Sequence, residues 1–272
     1  MNDLFNLKDK IVVITGAGGV LCGEMAKALA NDGAKVAVLD IVEEAAKKVV
    51  DKIKSEGGIA IAVKCNVLEK DTIEAARDKI IAEFGKVDIL INGAGGNKKE
   101  ATTSPDLSFF DLPTDAIRFV FDLNFIGTLL PTQVFGKMMA ENSEGVILNI
   151  SSMCALSPLT KIPGYSGAKA AVSNFTQWMA VHMCQNYSTN IRVNAIAPGF
   201  FLTEQNRFLL VDEKTGEPTD RGQTIISHVP MGRYGDAEEL LGTVLWLLSD
   251  AAKYVTGIVV PVDGGFSAFS GV

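Results

Sequence analysis

The amino-acid sequence predicts an α/β fold: a single domain in which a doubly wound, parallel β-sheet of about seven strands is flanked by helices. Two observations support this prediction. Short apolar runs rich in β-branched residues alternate with longer stretches of helical periodicity along the chain. No linker, repeat or low-complexity stretch interrupts that alternation, so we expect residues 1–272 to form one domain.

The predicted strands are short and apolar on both sides. A parallel sheet that helices cover on both faces has strands of this kind, because neither face of the strand meets water. In chain order they are Ile11–Ile14, Lys35–Leu39, Ala60–Val63, Ile89–Ile91, Val146–Ile150, Ile191–Ala195 and a last strand near Ile258–Val262.

Helical stretches lie between these strands. The first has Met25, Ala28 and Leu29 as apolar residues and stops at Gly33, a residue type that commonly ends helices. The others are Glu43–Lys54, Thr72–Phe84, about Asp115 to Met139, about Tyr165 to Cys184, and Ala237–Leu248.

Two longer stretches, residues 95–113 and 199–230, show neither the apolar runs of a strand nor the periodicity of a helix. Both leave the carboxyl ends of predicted strands, where an open α/β sheet binds its ligands. Loops longer than about 12–15 residues in a compact domain are usually functional or disordered. We therefore expect substrate-binding loops here, with mobile surface insertions as the alternative.

Composition argues against several classes of function. The net charge of −7 disfavours sequence-independent binding of nucleic acid, which needs a basic face. No apolar run reaches about 18 residues and the charged amino-terminal region does not resemble a signal peptide, so we expect a cytoplasmic protein without a membrane partner. The four cysteines form no C-x-x-C pair, which predicts neither disulfides nor a metal site.

The stretch TGAGGVLCG, Thr15–Gly23, lies between the first predicted strand and the first helix. Such a turn presents backbone N–H groups at a helix N-terminus, which favours a pyrophosphate. Asp40 ends the second strand, where a carboxylate accepts hydrogen bonds from ribose hydroxyls and repels a 2′-phosphate. Together with Ile41 after it, Asp40 predicts NAD(H) rather than NADP(H). The alternative is that Asp40 only caps the following helix.

Four polar residues indicate a catalytic site. Tyr165 and Lys169, in YSGAK, are spaced i, i+4 and share one helix face. A nearby cation lowers the pKa of a tyrosine, which can then exchange a proton near neutral pH. Ser152 lies 13 residues before Tyr165, just past a predicted strand, and Asn124 is an amide inside an apolar helical stretch. Without these two residues and the glycine turn, a pair on a helix surface would be the better interpretation.

Taken in order, these motifs resemble those of the short-chain dehydrogenase/reductase family, and the resemblance covers essentially the whole chain. In that family a TGxxxGxG turn, an NNAG segment, an Asn, a Ser, a YxxxK pair, a PGxxxT segment and a VDGG ending recur. They appear here as TGAGGVLC, NGAG, Asn124, Ser152, Tyr165 with Lys169, Pro198–Thr203 and Val262–Gly265.

The resemblance implies a Rossmann fold, a nicotinamide cofactor and a role for each catalytic residue. Tyr165 would be the general acid/base and Ser152 would hydrogen-bond the substrate oxygen. Lys169 would lower the pKa of Tyr165 and hold the nicotinamide ribose, and Asn124 would hold a water that links Lys169 to solvent. The residues implied to bind the cofactor are Gly16, Gly18, Gly19, Val20, Leu21, Asp40, Ile41, Asn66, Val67, Asn92, Gly93, Ala94, Gly95, Tyr165, Lys169, Pro198, Gly199, Phe201 and Thr203.

The sequence departs from the family pattern at four positions. Val20 and Cys22 replace the second and third glycines of the turn, Gly93 replaces the second Asn of NNAG, and Asn66 stands where an Asp usually contacts the adenine. Cysteine is small, an Asn carbonyl can accept the adenine hydrogen bond, and three glycines before Val20 can still bend the turn. We therefore expect an intact phosphate site.

Polar and basic groups in the two long loops suit a hydroxylated, anionic substrate, because a guanidinium can bind a carboxylate at two points. Solvated loop charges are the alternative. The residues expected to bind substrate are Asn97, Lys98, Ser152, Arg207 and His228, with Lys99, Glu204, Gln205, Asn206 and Arg221 as further polar groups of the same loops.

A narrower resemblance rests on GGN followed by an AT pair, on the VLC variant of the turn and on RGQTIISHVPMGRYG. It is to family members that interconvert D-fructuronate and D-mannonate. The alternatives are a polyol, gluconate or 3-ketoacyl substrate and, outside enzymes, a non-catalytic nucleotide-binding regulator. The family also implies a homotetramer, which the mixed apolar faces of Asp115–Met139 and Ala168–Cys184 permit.

Overall fold

The computed structural model of the protein describes residues 2–203, 207–212 and 215–271. Seven strands in this part of the chain form one sheet. They are β1 (Ile11–Thr15), β2 (Lys35–Asp40), β3 (Ile59–Lys64), β4 (Ile89–Asn92), β5 (Gly145–Ile150), β6 (Ile191–Pro198) and β7 (Val259–Val262). All paired strands are parallel, and their order is β3-β2-β1-β4-β5-β6-β7. The predicted doubly wound sheet is confirmed.

The helices cover both faces of the sheet. None of those in the described part of the chain is both long and apolar enough to cross a lipid bilayer. They are α1 (Val20–Asn31), α2 (Glu43–Ser55), α3 (Lys70–Phe84), α4 (Thr114–Phe121), α5 (Gly127–Asn142), α6 (Pro163–Asn186), α7 (Arg207–Leu210), α8 (Asp220–His228) and α9 (Leu241–Leu248).

Two apolar layers hold the helices on the sheet, as the alternation of side chains along β1 shows. Val12 and Ile14 lie in the layer that also contains buried residues of α1, α2 and α9. Ile11 and Val13 lie in the opposite layer, with buried residues of α3, α5 and α6. Successive strand residues point to opposite faces, so a fully apolar strand supplies both layers at once.

The helix expected from Asp115 to Met139 is divided in two. A π-helical turn, Asp122–Ile126, separates α4 from α5. Within it the Nδ2 group of Asn124 donates to the carbonyl of Val120, four residues earlier, at 2.7 Å. A side-chain donor therefore bonds a carbonyl that a backbone amide would otherwise use, and π turns of this kind are frequent at functional sites.

The stretch 199–230 is more regular than expected, because it contains α7 and α8. Thr219 caps α8 by accepting a hydrogen bond from the amide of Gly222 at 3.1 Å. Leu210, Ile225 and Val229 pack together beneath the two helices. The expectation of a loop over residues 199–230 missed this Thr cap at the start of a helix.

The order of the strands places a crevice between β1 and β4. The chain runs outward from β1 to β3 and then crosses back to place β4 beside β1, with Thr15 paired to Asn92. The loops that follow these two strands diverge, which leaves the crevice at the carboxyl ends of the strands where such sheets bind ligands.

Candidate active site

The turn after β1 is shaped by glycines that have no room for a side chain. Gly16 has a φ of +66°, and a Cβ on it would lie 2.7 Å from the Cα of Ala94. A Cβ on Gly18 would lie 2.9 Å from the Cγ of Asp40. The turn thus fits tightly between the segments that follow β2 and β4, and its backbone faces the crevice.

The amides that remain available for an anion are those of the first turn of α1. The amide of Ala17 donates to Leu39, and that of Gly19 donates to Gly16. Val20 and Leu21 are the first residues of α1, and its N-cap, Gly19, has no side chain to cap them. The first N–H groups of a helix have no intrahelical acceptor, so they can hold a pyrophosphate.

Val20 does not disturb this turn. It is the first residue of α1, and among the glycine-turn residues Thr15–Gly23 only Gly16 has a positive φ. The backbone freedom that the turn needs therefore lies upstream of Val20, so a β-branched residue is accommodated without strain.

Cys22 and Gly93 fit together. A Cβ on Gly93 would collide with the Sγ of Cys22, and Cys22 is itself buried. Burial raises the pKa of the Cys22 thiol to about 12, so it is a small core residue and not a thiolate. The two departures from the family pattern, Cys22 and Gly93, are thus two halves of one packing contact.

Asp40 holds the glycine turn. Its Oδ2 accepts from the amide of Gly18 at 3.0 Å, and its Oδ1 accepts from the amide of Val42 at 2.9 Å. Val42 is the N-cap of α2, so Asp40 does not occupy the capping position considered as the alternative. Its carboxylate lies at the end of β2, beside the turn.

The segment after β4 completes the crevice. The Oγ1 of Thr15 accepts from the amides of Gly93 and Ala94 at 3.1 and 3.2 Å. Asn92 is buried, and its Nδ2 group donates to the Oγ1 of Thr132 and the Oδ1 of Asn149, which ties β4 to α5 and β5. Asn92 acts here as an anchor beneath the crevice.

A cavity of about 390 Å³ lies over these segments. Many of the residues predicted to bind the cofactor line it, and Val42, Ala45, Cys65 and Leu123 are lining residues that the sequence did not suggest. The predicted residues in its lining are Gly16, Gly18, Gly19, Asp40, Ile41, Asn66, Val67, Gly93, Ala94 and Gly95. The glycine cradle and the amides of α1 match the shape and the negative charge of a dinucleotide.

Lys169 and Tyr165 lie on the first turns of α6. The Nζ of Lys169 lies 5.6 Å from the centroid of the Tyr165 ring and donates to the carbonyl of Ile150 at 2.7 Å. Burial lowers the pKa of Lys169 to about 8, and burial raises the pKa of Tyr165 above its ordinary value. The pKa of Tyr165 therefore shifts upward and not downward as expected from Lys169, because burial is the largest cause of the shift.

Ser152 lies just past β5 and borders the same site. It caps the short helical turn Met153–Ala155, and its Oγ accepts from the amide of Cys154 at 3.3 Å. A hydrogen bond with Ser152 lowers the pKa of Tyr165, whereas burial raises it. The hydroxyl and the phenol can therefore both meet one substrate oxygen.

Asn124 joins the loop after β4 to the catalytic side chains. Its Oδ1 accepts from the amide of Gly96 at 3.1 Å, and its Nδ2 donates to the carbonyl of Gly96 at 2.7 Å. A Cβ on Gly95 would lie 2.6 Å from that Oδ1 and 3.2 Å from the Nζ of Lys169. The cavity lining and the catalytic lysine are therefore contiguous, and the Asn124 amide needs no water to be satisfied.

The segment after β6 packs against the segment that follows β7. A Cβ on Gly199 would lie 2.6 Å from the Cα of Asp263, and Phe201 is buried. Pro198 ends β6, while Thr203 is half-buried and close to the end of the described segment.

The residues predicted to bind substrate from the loops are exposed and engaged locally. Asn97 donates to Thr102, and the ammonium group of Lys98 lies 5.2 Å from the centroid of the Phe119 ring. His228 contacts the Thr224 carbonyl of its own helix at 2.8 Å through Nδ1. Arg207 is exposed at the start of α7. Glu204, Gln205 and Asn206 lie outside the described residues.

No group of His, Cys, Asp and Glu side chains in the described part of the chain is arranged to hold a metal ion.

Comparison with known proteins gives three kinds of similarity. Residues 19–267 match the family model described as enoyl-(acyl carrier protein) reductase. An uncharacterized oxidoreductase of Haemophilus influenzae is 53% identical over 98% of this chain and 96% of its own.

Two solved structures resemble this one. A candidate D-mannonate oxidoreductase from Haemophilus influenzae, with bound NAD, has a TM-score of 0.92 at 52% identity over 98% of each chain. A gluconate 5-dehydrogenase from Burkholderia cenocepacia, in complex with NADP and tartrate, has a TM-score of 0.86 at 30% identity over 98% of each chain.

Proposed function

Because the chain belongs to the short-chain dehydrogenase/reductase family, we propose that it is an NAD(H)-dependent enzyme that interconverts a ketone and a secondary alcohol on a sugar acid. Membership makes it an NAD(P)-dependent oxidoreductase that acts on CH–OH groups. One observation carries the proposal: Gly95 lines the cavity over the glycine turn and lies against Asn124 and Lys169. The relatives are oxidoreductases, so a non-catalytic regulator is not supported.

Two catalytic side chains, Tyr165 and Ser152, act on the substrate oxygen in the proposed reaction. A nicotinamide cofactor held by the glycine turn and Asp40 would supply the hydride chemistry at the carbonyl carbon of the ketone, or at the corresponding carbon of the alcohol. The phenol of Tyr165 donates a proton to the oxygen in reduction and accepts it in oxidation. Ser152 donates a hydrogen bond to the same oxygen, which stabilises the negative charge that develops there. Burial, which raises the pKa of Tyr165, keeps the phenol in its proton-donating form at neutral pH.

Two other groups prepare this step. Lys169, with a pKa near 8, can stabilise the phenolate that Tyr165 becomes after it donates its proton. In the proposed role Asn124 contributes to the route between Lys169 and solvent. In this structure its side chain also fixes Gly96, so it positions the loop that lines the cavity.

We propose NADH as the preferred cofactor. The support is the carboxylate of Asp40 beside the glycine turn, where it would accept ribose hydrogen bonds and repel a 2′-phosphate. One of the two similar structures contains NAD and the other contains NADP. The proposed preference for NADH is therefore argued from the residues of this chain and not from its relatives.

We propose D-fructuronate and D-mannonate as the substrate pair. The support is the similarity to the candidate D-mannonate oxidoreductase over nearly the whole chain. Gluconate-type substrates are the second candidate, because the gluconate 5-dehydrogenase shares the fold and 30% of its residues.

The decisive experiment compares the wild type with Tyr165→Phe. We expect the wild type to oxidise NADH with D-fructuronate at a higher kcat/KM than with 5-keto-D-gluconate or neutral ketoses. The phenylalanine variant should lose about 10²–10⁴-fold in kcat, because it has no proton to donate, while it still binds NADH. Activity confined to neutral ketoses would contradict the sugar-acid proposal. Undiminished activity of the variant would contradict the catalytic role.

We also propose a homotetramer. A groove of about 700 Å³ runs between α5 and α6, and the indole of Trp178 in its lining is 56% exposed. His182 stacks on Trp178 with centroids 4.6 Å apart, and Phe175 stacks on the other side at 6.2 Å. An exposed aromatic surface of this kind is typical of a subunit interface.

A further inference from the structure

The segment Phe200–Leu202 has a second anchor outside the site described above. The amide of Gly235 donates to the carbonyl of Phe200 at 2.9 Å, and the amide of Leu202 donates to the carbonyl of Gly235 at 3.0 Å. These bonds form a parallel bridge between Phe201 and Gly235. The position of Phe201 and Leu202 therefore depends on where Gly235 lies.

Gly235 itself belongs to a turn that an ion pair closes. The two Nη groups of Arg233 donate to the two carboxylate oxygens of Glu239, each at 2.6 Å. Arg233 also donates to the carbonyl of Tyr234 at 3.0 Å. The Oε2 of Glu239 accepts from the amide of Asp236 at 2.9 Å, and the Asp236 side chain accepts from the amide of Glu239. The residues on both sides of Gly235 are thus fixed by one bidentate pair.

The contact between Gly235 and Phe201 is tight. A Cβ on Gly235 would lie 2.6 Å from the Phe201 ring, and Phe201 is only 6% exposed. A shift of Gly235 therefore moves Phe201 directly, because there is no free space between them to absorb it. Such a bidentate pair has a defined geometry that a single exposed charge pair lacks.

We propose that Arg233 and Glu239 are positioning residues for the nicotinamide end of the cofactor site. They hold Gly235 in register with Phe200–Leu202, and through it they set the segment that runs on to Thr203. This inference rests on the proposed function and on the family resemblance, which implies that Thr203 and the backbone around Phe201 bind the nicotinamide carboxamide. The hydrogen bonds of Arg233 and Glu239 given above join residues 233–239 and none of the glycine turn, so we expect the effect on the nicotinamide half of the dinucleotide.

The test separates the two halves of the cofactor. Kd values are measured by calorimetry for NADH and for ADP-ribose, which lacks the nicotinamide, with Arg233→Lys and Glu239→Gln. We expect both variants to bind NADH about tenfold more weakly, the effect of one lost hydrogen bond, and ADP-ribose within about twofold of the wild type. Lysine keeps the charge but cannot form the two parallel bonds.

Two further variants serve as an independent test of the same contact and as a control. Gly235→Ala perturbs the same contact without touching the ion pair, and we expect the same selective loss of NADH affinity even if an ion-pair variant fails to fold. Glu56→Gln, which breaks the exposed pair between Lys52 and Glu56 on α2, should change neither Kd.

Equal weakening of NADH and ADP-ribose, or no change in either, would overturn the inference. A wild-type protein that binds ADP-ribose and NADH at millimolar concentration only would instead contradict the proposed function.

Discussion

Lys169 is a charged side chain in a buried site, and burial lowers its pKa from 10.5 to about 8. The folded protein therefore holds this proton less tightly than the unfolded chain does. Stability consequently rises as pH increases through the interval from about 8 to 10.5, where only the unfolded chain keeps the proton. The full effect of such a shift is roughly 3 kcal/mol.

Lys169→Met tests this burial directly. We expect the free energy of unfolding of the wild type to increase relative to that of the variant by up to about 3 kcal/mol between pH 7 and pH 10.5. Urea unfolding of the cofactor-free proteins across this range measures it, with the exposed Lys137→Met as the control. Parallel stability curves for the wild type and Lys169→Met would show that the lysine is not desolvated.

Asp40 combines two tasks that a substitution can separate. Asp40→Asn keeps an oxygen that can accept from the amide of Gly18 but removes the charge, whereas Asp40→Ala removes both. We expect the asparagine variant to shift the ratio of kcat/KM values toward NADPH by about tenfold, because the repulsion of a 2′-phosphate is lost. The alanine variant should bind both cofactors more weakly, because the turn loses its anchor. A wild type that prefers NADPH, or unchanged NADH affinity in Asp40→Ala, would contradict this account.

At the scale of residues, the sequence indicated which side chains would lie close together, but it did not indicate how deeply each would be buried or which groups it would contact. Motif order was enough to place Ser152, Tyr165 and Lys169 beside one another. The pKa of Tyr165 depends on how α6 packs against α4, where Ala116 and Val120 contact the tyrosine, and no local pattern encodes that packing. Likewise, the bond from the Asn124 side-chain amide to the carbonyl of Gly96 follows from the path of the loop after β4.

At the scale of elements, α1 contacts the segment after β4 tightly, through Cys22 and Gly93. Gly93→Ala should destabilise the protein by about 1–3 kcal/mol, because the new methyl group meets the Sγ of Cys22 and the carbonyl of Thr15. In a Cys22→Ala background the cost should fall by about 1 kcal/mol, since one of the two obstacles is gone. Denaturant unfolding of the double-mutant cycle measures the coupling. Strictly additive effects would show that the two positions do not share the contact.

Helices and strands with regular periodicity were predicted nearly to their ends, as for α2, expected at Glu43–Lys54 and found at Glu43–Ser55. The elements that were missed depend on single hydrogen bonds. The π turn arises because one side chain competes with a backbone amide, and α8 begins because Thr219 caps it. Apolar periodicity carries no information about such bonds, so it predicts one long helix in the first case and a loop in the second.

For the whole molecule, the proposed tetramer has a definite test. We expect light scattering to give four times the chain mass for the wild type. Trp178→Glu should give a smaller assembly, because a buried carboxylate in the groove between α5 and α6 is costly. Ile59→Glu, also at an exposed apolar residue but on β3, should leave the mass unchanged. A wild-type mass equal to one chain would contradict the proposal.

The doubly wound parallel sheet was accessible from the sequence because short apolar strands alternate with amphipathic helices along the chain. The arrangement of the two loops was not. Residues 95–113 and the stretch after β6 are held by contacts between segments far apart in the chain, such as the bond from the amide of Thr103 to the carbonyl of Lys161. Contacts of this kind determine the shape of a substrate site, so the substrate class is the part of the function that needed comparison with relatives.

The fit between Cys22 and Gly93 also constrains how this chain could have diverged from others of its family. With cysteine at position 22, any side chain at position 93 meets the sulfur, and with a larger residue at 93 the cysteine cannot enter. A lineage that passes between the two arrangements through an intermediate with glycine at both positions avoids this clash, whereas a step through cysteine at 22 with a side chain at 93 carries its cost. The space available to one side chain therefore favours one order of substitutions at this contact.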